Sequence, residues 1–515
     1  MKTDLSASSS QQLTFFDSLR QSPIRAWGSL IATMGLAVII PMAVGFGVGL
    51  EQILTMLIML EFAKRISYFP GVLLVLIFPI VAYLPAGITY GKLNVGVLAS
   101  LMETNPLEAQ EFILTIPAYC YILALMLIAA ALVWFKLRSQ QLFNMSKNKL
   151  FLFVFVGLFF HSAVFKFYKY AVENFSEYYE AKEVLAAAMS VEPEWHVTAL
   201  QGERSDLYVV IIGESVRKDY MSVYGYPHQT TPFLNSVPGY FVDGYVSASS
   251  NTWASLPRAL SLSHDNGLSI DPAHNAVTLA NAAGLETYWI SNQGFLGSKD
   301  TGVSIIASRS SHQIYLKKGE YNSENIDDLI LLEKLKSVLG RNGGRKVIFL
   351  HMMGSHPHEC QRLHDYVVNF DTPYGERFNC YLASIEKTDS FIAEAYSILQ
   401  KSGKSFSLLY FSDHGMTATK ESSHGYRFKH GAEYRENYDV PFLLLNSVDM
   451  EHVVEKKRLS AFNFMRFFTD WIKVKTSLLP GGYDIKAVQD DQEVSIYNFS
   501  KLVDYNSLSS QESLK

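Results

Sequence analysis

The chain has 515 residues, of which 49% are apolar and 18% charged, and a formal net charge of −5. A charged fraction this far below the roughly 25% of ordinary globular domains, with so much apolar content, excludes an intrinsically disordered chain. The charge leaves no basic footprint for nucleic acid, and three cysteines (Cys120, Cys360, Cys380) exclude both a disulfide-dense scaffold and a cysteine-based zinc finger.

The missing charge is concentrated in residues 1–170. Residues 27–50 carry no charged side chain and are long enough to cross about 30 Å of hydrocarbon as a helix. They exceed a signal-peptide core, and no cleavage site of small residues follows them. Residues 66–90 and 112–135 are likewise uncharged, and 150–165 are almost wholly apolar. Basic residues gather at Arg20 and Arg25, at Lys64 and Arg65, and between Lys136 and Lys149. The positive-inside rule assigns all three groups to the cytoplasm. That topology requires the weaker apolar run at 51–63 to cross too. It predicts five spans, an inside N-terminus and an outside chain after about residue 168. Residues 171–205 turn mixed and charged and read as a membrane-surface linker. Residues 206–515 read as a separate catalytic domain.

In that domain, residues 207–213, 346–351 and 406–412 are short β-rich runs, with helical patterns such as 327–339 and 384–400 between them. Alternating strands and helices predict a largely parallel sheet covered on both faces, with ligands at the carboxyl ends of the strands. The first run delivers Glu214 and Ser215, the second His351 and then His356, the third Asp413 and His414. Singly, an Asp-His pair reads as a turn and a lone histidine as structural. Gathered at one sheet edge, they are the donor types of a catalytic zinc site.

Gly213-Glu214-Ser215, followed by Tyr224-Gly225-Tyr226-Pro227 and Thr230-Thr231-Pro232, resembles the opening motif of the phosphoethanolamine transferases, membrane-anchored members of the alkaline phosphatase/sulfatase superfamily. Ser412-Asp413-His414-Gly415 resembles their second metal motif, and His351-Met352-Met353-Gly354-Ser355-His356 their His-x-x-Gly-x-His run; Tyr381 and Asp389 fit as well. The resemblance covers nearly the whole chain. It implies an α-helical transmembrane domain followed by an α/β alkaline-phosphatase/sulfatase-like catalytic domain. It also implies zinc on Glu214, Thr252, Asp413 and His414, with a second ion left open. Ser215 looks like a nucleophile, but the family's nucleophile is a threonine further on, and Thr252 in Ser249-Ser250-Asn251-Thr252-Trp253 occupies that place; Ser215 is the alternative. A free threonine hydroxyl is a weak nucleophile, and zinc would activate it while polarising the phosphoryl oxygen. A phospho-threonine intermediate carrying ethanolamine is then expected. Ser255-Leu256-Pro257-Arg258 brings the arginine one position early for the C/S-x-P-x-R motif of true sulfatases.

The same resemblance gives His356 a proton-handling or phosphate-holding role on the leaving-group side. His430, ahead of Val440-Pro441-Phe442, is the second phosphate-side histidine, with His424 as the alternative. Thr104 and Glu108, which alone could simply cap a helix, would hold the ethanolamine headgroup, and Asn292 is a further substrate-side residue. Cys360 and Cys380 are expected to pair, and Cys120 to be a packing residue. The expected donor is phosphatidylethanolamine. The expected acceptor is osmoregulated periplasmic glucan, with lipopolysaccharide core or lipid A as competing acceptors. Other readings are a phosphoglycerol transferase and a non-catalytic membrane binding protein. A monomer in the bacterial inner membrane, with its catalytic domain in the periplasm and no nucleic-acid partner, completes the expectation.

Overall fold

A long uncharged stretch satisfies its backbone polar groups within one segment as a helix, and helices dominate the described residues of the first part of the chain. The computed structural model describes residues 23–66, 68–103, 113, 116–137, 148–188, 190–199, 203–293, 302–317, 325–421, 425–479, 481–491 and 493–515. Among these, the helices before residue 190 are α1 (Pro23–Ala43), α2 (Leu50–Ala63), α3 (Phe69–Tyr90), α4 (Val95–Glu103), α5 (Ala118–Lys136), α6 (Lys149–His161) and α7 (Ala163–Ala188). Contacts divide the chain into two units, residues 1–97 with 112–176, and residues 98–111 with 177–515.

In the first unit, α1, α3 and α5 are long and apolar enough to cross a membrane, and the pair α6–α7, bent by 56°, would make a fourth span. Helix α2 covers the weak apolar run, but its 14 residues reach only about 21 Å, short of a hydrocarbon core near 30 Å. The expected count of five therefore depends on a helix that cannot cross unaided. Helix α2 is tied to α1 by polar side chains: Lys64 Nζ lies 2.6 Å from Glu61 Oε1, 2.9 Å from Thr33 Oγ1 and 3.0 Å from Ser29 Oγ. Cys120 is buried in α5, outside any disulfide.

The second unit is built on an eight-stranded sheet. Its strands in chain order are β1 (Leu207–Gly213), β2 (Gly239–Val246), β3 (Glu286–Ser291), β4 (His312–Tyr315), β5 (Lys346–His351), β6 (Phe406–Ser412), β9 (Asp439–Asn446) and β10 (His452–Ser460); β7 (Thr417–Glu421) and β8 (Gly425–Lys429) form a separate hairpin. The spatial order is β10-β2-β9-β6-β1-β5-β3-β4. Only β9 runs against the others. Every residue of β1 is buried, because both faces of this central strand are covered. Tyr208, Val210 and Ile212 enter a core with Phe464, Phe467 and Phe468 of α12 (Phe464–Trp471). Leu207, Val209 and Ile211 enter the opposite core with Leu331 and Leu335 of α9 (Leu329–Leu339) and Ile385 and Ile392 of α11 (Glu376–Lys401). The period of two in a strand makes that division automatic. At roughly 1.5–3 kcal/mol for each fully buried large apolar side chain, β1 is the strand against which the rest is aligned. Because β1, β2, β3, β5 and β6 point the same way, the segments that follow them all emerge at one edge.

Candidate active site

Glu214 follows β1 directly and Asp413-His414 follow β6, the strand paired with β1 in parallel; Gly213 and Ser412 are register partners. The two motifs therefore leave the sheet side by side. Helix α8 (Thr252–Leu260) begins after β2, and Asn251 caps it by accepting from Ala254 N at 3.0 Å. Thr252 is thus the first residue of a helix whose positive dipole end faces the site, a setting that favours an anion such as phosphate.

Glu214, Asp413 and His414 are fully buried, and one donor atom from each lies within 4.8 Å of the other two. Thr252 Oγ1 is 2.9 Å from Glu214 Oε2, 2.6 Å from Asp413 Oδ2 and 3.5 Å from His414 Nε2. His414 Nδ1 is 2.8 Å from the Gly415 carbonyl, which turns Nε2 toward the carboxylates, as a metal-binding imidazole commonly donates its other nitrogen to a carbonyl. Electrostatics test the fit. Burial and the charge of Glu214 push the Asp413 carboxyl up to about 7. Burial alone would lower His414, but Asp413 and Glu214 outweigh it and raise the imidazole to about 9. Burial would likewise raise Glu214, yet the hydrogen bond and charge of His414 hold it well below the usual carboxylate range. Two buried carboxylates and an imidazole thus demand positive charge, and a divalent cation with oxygen and nitrogen ligands meets that demand. The donor set fits zinc.

Ser215 has another place. Its Oγ donates to Glu214 Oε1 at 2.6 Å and its N–H to Asp413 Oδ1 at 3.1 Å. Its φ of 61° is left-handed, a conformation that costs a non-glycine residue about 1–3 kcal/mol. Tyr381 holds the turn, its hydroxyl donating to the Ser215 carbonyl (2.9 Å) and accepting from Arg217 N (3.0 Å). Asp389 accepts from the N–H groups of Phe233 and Leu234, both at 2.9 Å, and so anchors the segment after Thr230-Thr231-Pro232. Arg258 lies with its guanidinium carbon 3.6 Å from the centre of the Tyr497 ring.

His356 and His430 stand beside the carboxylate group: the His430 ring is 5.0 Å from His414 and 6.1 Å from His356, centre to centre. Nδ1 of each is buried without a hydrogen-bond partner among the described residues. Burial lowers both, His430 to about 4 and His356 well below its ordinary range. His351 is buried behind them, its Nδ1 3.1 Å from Ser291 Oγ. His424, Thr104 and Glu108 lie outside the described residues.

Asn292 is fully buried. Its Nδ2 donates to the Ile326 carbonyl and to Asp328 Oδ1, both at 2.8 Å. Asp328 in turn accepts from Met353 N and Gly354 N, so it braces the loop that carries His356. The neighbour reaches the site instead: Gln293 Nε2 donates to Glu214 Oε2 (3.1 Å) and to the Met352 carbonyl (2.9 Å). Sequence reasoning missed Gln293, although its place at the end of β3 was the available signal. Cys360 and Cys380 are joined by a disulfide.

The family model described as Sulfatase matches residues 206–474. Phosphoethanolamine transferase OpgE of Escherichia coli K12 is 32% identical over 450 residues, 83% of this chain and 84% of that protein. Among solved structures, the zinc complex of the C-terminal periplasmic domain of EptC from Escherichia coli superposes with a TM-score of 0.52 at 22% identity, over 62% of this chain and 98% of that one. The integral membrane protein lipooligosaccharide phosphoethanolamine transferase A (EptA) of Neisseria meningitidis does so with a TM-score of 0.63 at 17% identity, over 88% and 96%. At these identities the two structures speak for the fold, and the second extends it through the helical N-terminal part.

Proposed function

The chain belongs to the sulfatase family and, within it, to the phosphoethanolamine transferases, and on that premise we propose that it moves the headgroup of phosphatidylethanolamine to a periplasmic glycan by way of Thr252. The observation that carries the reading is the hydroxyl of Thr252 at the head of α8, within 3.5 Å of Glu214, Asp413 and His414. In the first step the bond from Thr252 Oγ1 to phosphorus forms while the bond from phosphorus to the diacylglycerol oxygen breaks. The threonine proton ends on the departing diacylglycerol. In the second step an acceptor hydroxyl attacks the same phosphorus, the phospho-threonine bond breaks, and the acceptor's proton restores the threonine. His356 and His430, neutral because they are buried, hold the phosphoryl oxygens and relay that proton. Glu214, Asp413 and His414 hold zinc, which when bound supplies Lewis-acid polarisation of the phosphoryl group and lowers the pKa of the threonine hydroxyl. Ser215 shapes the turn, and Gln293 orients Glu214. Thr104 and Glu108 receive the ethanolamine, the carboxylate suiting an ammonium.

The membrane reading is a transmembrane domain to about residue 170, a surface linker to 205 and a catalytic domain from 206, as a monomer in the bacterial inner membrane. Osmoregulated periplasmic glucan is the acceptor favoured by Gly354-Ser355-His356-Pro357 with the disulfide loop and by the position of His430. The 32% identity to OpgE over 83% of this chain supports that branch. Intact-mass analysis after incubation with phosphatidylethanolamine and no acceptor should show one phosphoethanolamine group, on a peptide containing Thr252. An adduct on Ser215, or none, overturns the reading. Phosphatidylglycerol offered in parallel separates a phosphoglycerol transferase, and mass spectrometry of glucans and lipopolysaccharide from a deletion strain separates the acceptors.

A further inference from the structure

The transfer steps leave unassigned a dense set of hydrogen bonds that joins the segments leaving β1 and β6. At its centre is Arg217, whose side chain is fully buried. Its guanidinium makes five hydrogen bonds, one for each N–H it carries. Nε and Nη2 grip Asp219 at 2.9 and 2.6 Å, and Nη1 donates to the Met416 carbonyl at 3.3 Å. The other two bonds go to a single residue: Nη1 donates to Gln511 Oε1 and Nη2 to the Gln511 carbonyl, both at 3.0 Å.

Gln511 has further partners. Its Oε1 also accepts from Ala418 N at 2.8 Å while its Nε2 donates to the Ala418 carbonyl at 2.7 Å, so the side-chain amide pairs with β7 much as a neighbouring strand would. Its backbone N–H donates to Glu436 Oε2 at 2.7 Å, and Ser510 Oγ donates to Glu436 Oε1 at 2.6 Å. One glutamine thus ties together the segments that follow Glu214, His414 and His430.

These contacts converge on Gly415. A Cβ there would fall 2.1 Å from the Glu436 carbonyl oxygen and 3.2 Å from Arg217 Cγ, so its backbone is enclosed by two residues that Gln511 holds. Gly415 N donates to the Asn437 carbonyl at 2.8 Å. The Gly415 carbonyl lies 2.8 Å from His414 Nδ1, the contact that aims Nε2 at Glu214 and Asp413. A metal-binding imidazole is only as well oriented as the group that meets its other nitrogen. Removing the Gln511 amide would leave a buried guanidinium N–H without its acceptor, and a charged donor left unpaired in the interior moves to find another.

We propose that Gln511 is a positioning residue for the metal site: through Arg217 and Glu436 it fixes the Gly415 carbonyl, and through that carbonyl the direction of His414 Nε2. The assignment rests on the transferase reading, in which His414 holds zinc, and adds to it a determinant remote in sequence from every motif residue. A glutamine that only docked residues 508–515 would lend stability and leave the metal indifferent. A positioning glutamine changes what the metal meets.

The test uses the full-length protein in detergent. Competition with a zinc-binding dye reads affinity, the visible absorption of the cobalt-substituted protein reads coordination geometry, and denaturant unfolding reads stability. Gln511→Leu removes the amide and keeps the backbone contacts; it should weaken zinc binding at least about tenfold, the scale for losing a group that braces a metal ligand, and alter the cobalt band. Gln511→Glu keeps an acceptor for Arg217 and Ala418 N, so it should recover most of the affinity and the unaltered band. Tyr374, in the connection between α10 (Glu359–Arg362) and α11, donates its hydroxyl to the Lys515 carbonyl at 2.7 Å. Tyr374→Phe therefore loosens the same segment away from Arg217 and should leave both metal readings unchanged.

A folded Gln511→Leu that loses stability but keeps its zinc affinity and cobalt band overturns the proposal. An equal loss of affinity in Tyr374→Phe does so too, since affinity would then follow the docking of the segment. A loss in Gln511→Glu as large as in Gln511→Leu would place the effect on the Ala418 carbonyl and sink the route through Arg217. If Gln511→Leu does not fold, Gln511→Asn, whose shorter side chain holds the amide back from Arg217, carries the same expectation. Adduct formation on Thr252 in the unaltered protein is read separately: a missing adduct overturns the transferase reading, whereas an intact adduct with unaltered affinity in Gln511→Leu overturns only the positioning role.

Discussion

Replacing Tyr381 by phenylalanine removes one oxygen and should loosen a carboxylate several residues away in space. The hydroxyl is fully buried and serves two backbone groups, donating to the Ser215 carbonyl and accepting from Arg217 N. Without it a buried carbonyl and a buried N–H lose their partner, at about 1–3 kcal/mol each, so the expected loss of stability is about 2–6 kcal/mol. Part of that loss is offset, because Ser215 is held at φ 61° and a freed turn can release some of the roughly 1–3 kcal/mol that such a conformation costs. A net of about 2–3 kcal/mol is the working figure. The release has a functional consequence: Ser215 donates to Glu214 and Asp413, so a relaxed turn displaces both carboxylates from Thr252. Denaturant unfolding of the full chain in detergent, followed by tryptophan fluorescence, reads the stability; competition with a zinc-binding dye reads the site. Tyr381→Phe should lower the unfolding free energy by that amount and weaken zinc binding at least about tenfold, the usual scale for losing a group that braces a metal ligand. A change under about 0.5 kcal/mol with unaltered zinc affinity would refute the argument, since the turn would then be held by its other contacts.

Thr252→Ala should abolish transfer, with no adduct by intact mass, while zinc still binds through Glu214, Asp413 and His414; Ser215→Ala should retain measurable transfer because its hydroxyl only supports Glu214. Burial, opposed by the N–H groups of Phe233 and Leu234, raises Asp389 to about 6. Its carboxyl therefore holds a proton more tightly in the folded chain than in the unfolded one, and that contribution to stability, complete below about pH 4, is lost as pH rises through 6. Unfolding measured from pH 4 to 7 should show this decline in the unaltered protein, with that component absent in Asp389→Asn; equal slopes would contradict it. Cys360 and Cys380, 20 residues apart, should resist alkylation until reduced. Cys380→Ser should cost up to about 3 kcal/mol by loop entropy, read by denaturant unfolding, and free labelling of both thiols in the unreduced protein would contradict the pairing.

Much of this protein is written locally. Long uncharged runs become helices because a helix satisfies every backbone polar group within one segment, and residues 27–50, 66–90 and 112–135 overlap α1, α3 and α5. Runs such as 207–213 and 406–412 are strands whose ends present Glu214 and Asp413-His414, and that too follows from short-range pattern. Length could not be judged the same way. The charge-based topology asks residues 51–63 to cross, yet the helix formed there is 14 residues long, because topology arithmetic counts charges and not reach. Nor does pattern alone order the strands: that β9 is antiparallel between β2 and β6 is a matter of long-range pairing.

The site divides along the same line. The strand-end pattern singled out Glu214, Asp413 and His414, and the family resemblance added Thr252, but only the parallel alignment of β1, β2 and β6 sets the threonine that follows β2 2.6 Å from the aspartate that follows β6. Ser215 and Thr252 are both hydroxyls near a metal motif in sequence; the fold puts Ser215 in a left-handed turn beside Glu214 and Thr252 at the start of α8, against Glu214, Asp413 and His414 together. Asn292 and Gln293 are adjacent in the chain and point to different fates, since successive residues at a strand end face opposite sides. One braces Asp328 and the other reaches Glu214. Residue type and spacing decide which groups are chemically able to act. Which of them meet is decided by the order and direction of the strands, because sequence-distant contacts are fixed by the sheet as a whole and by no segment within it.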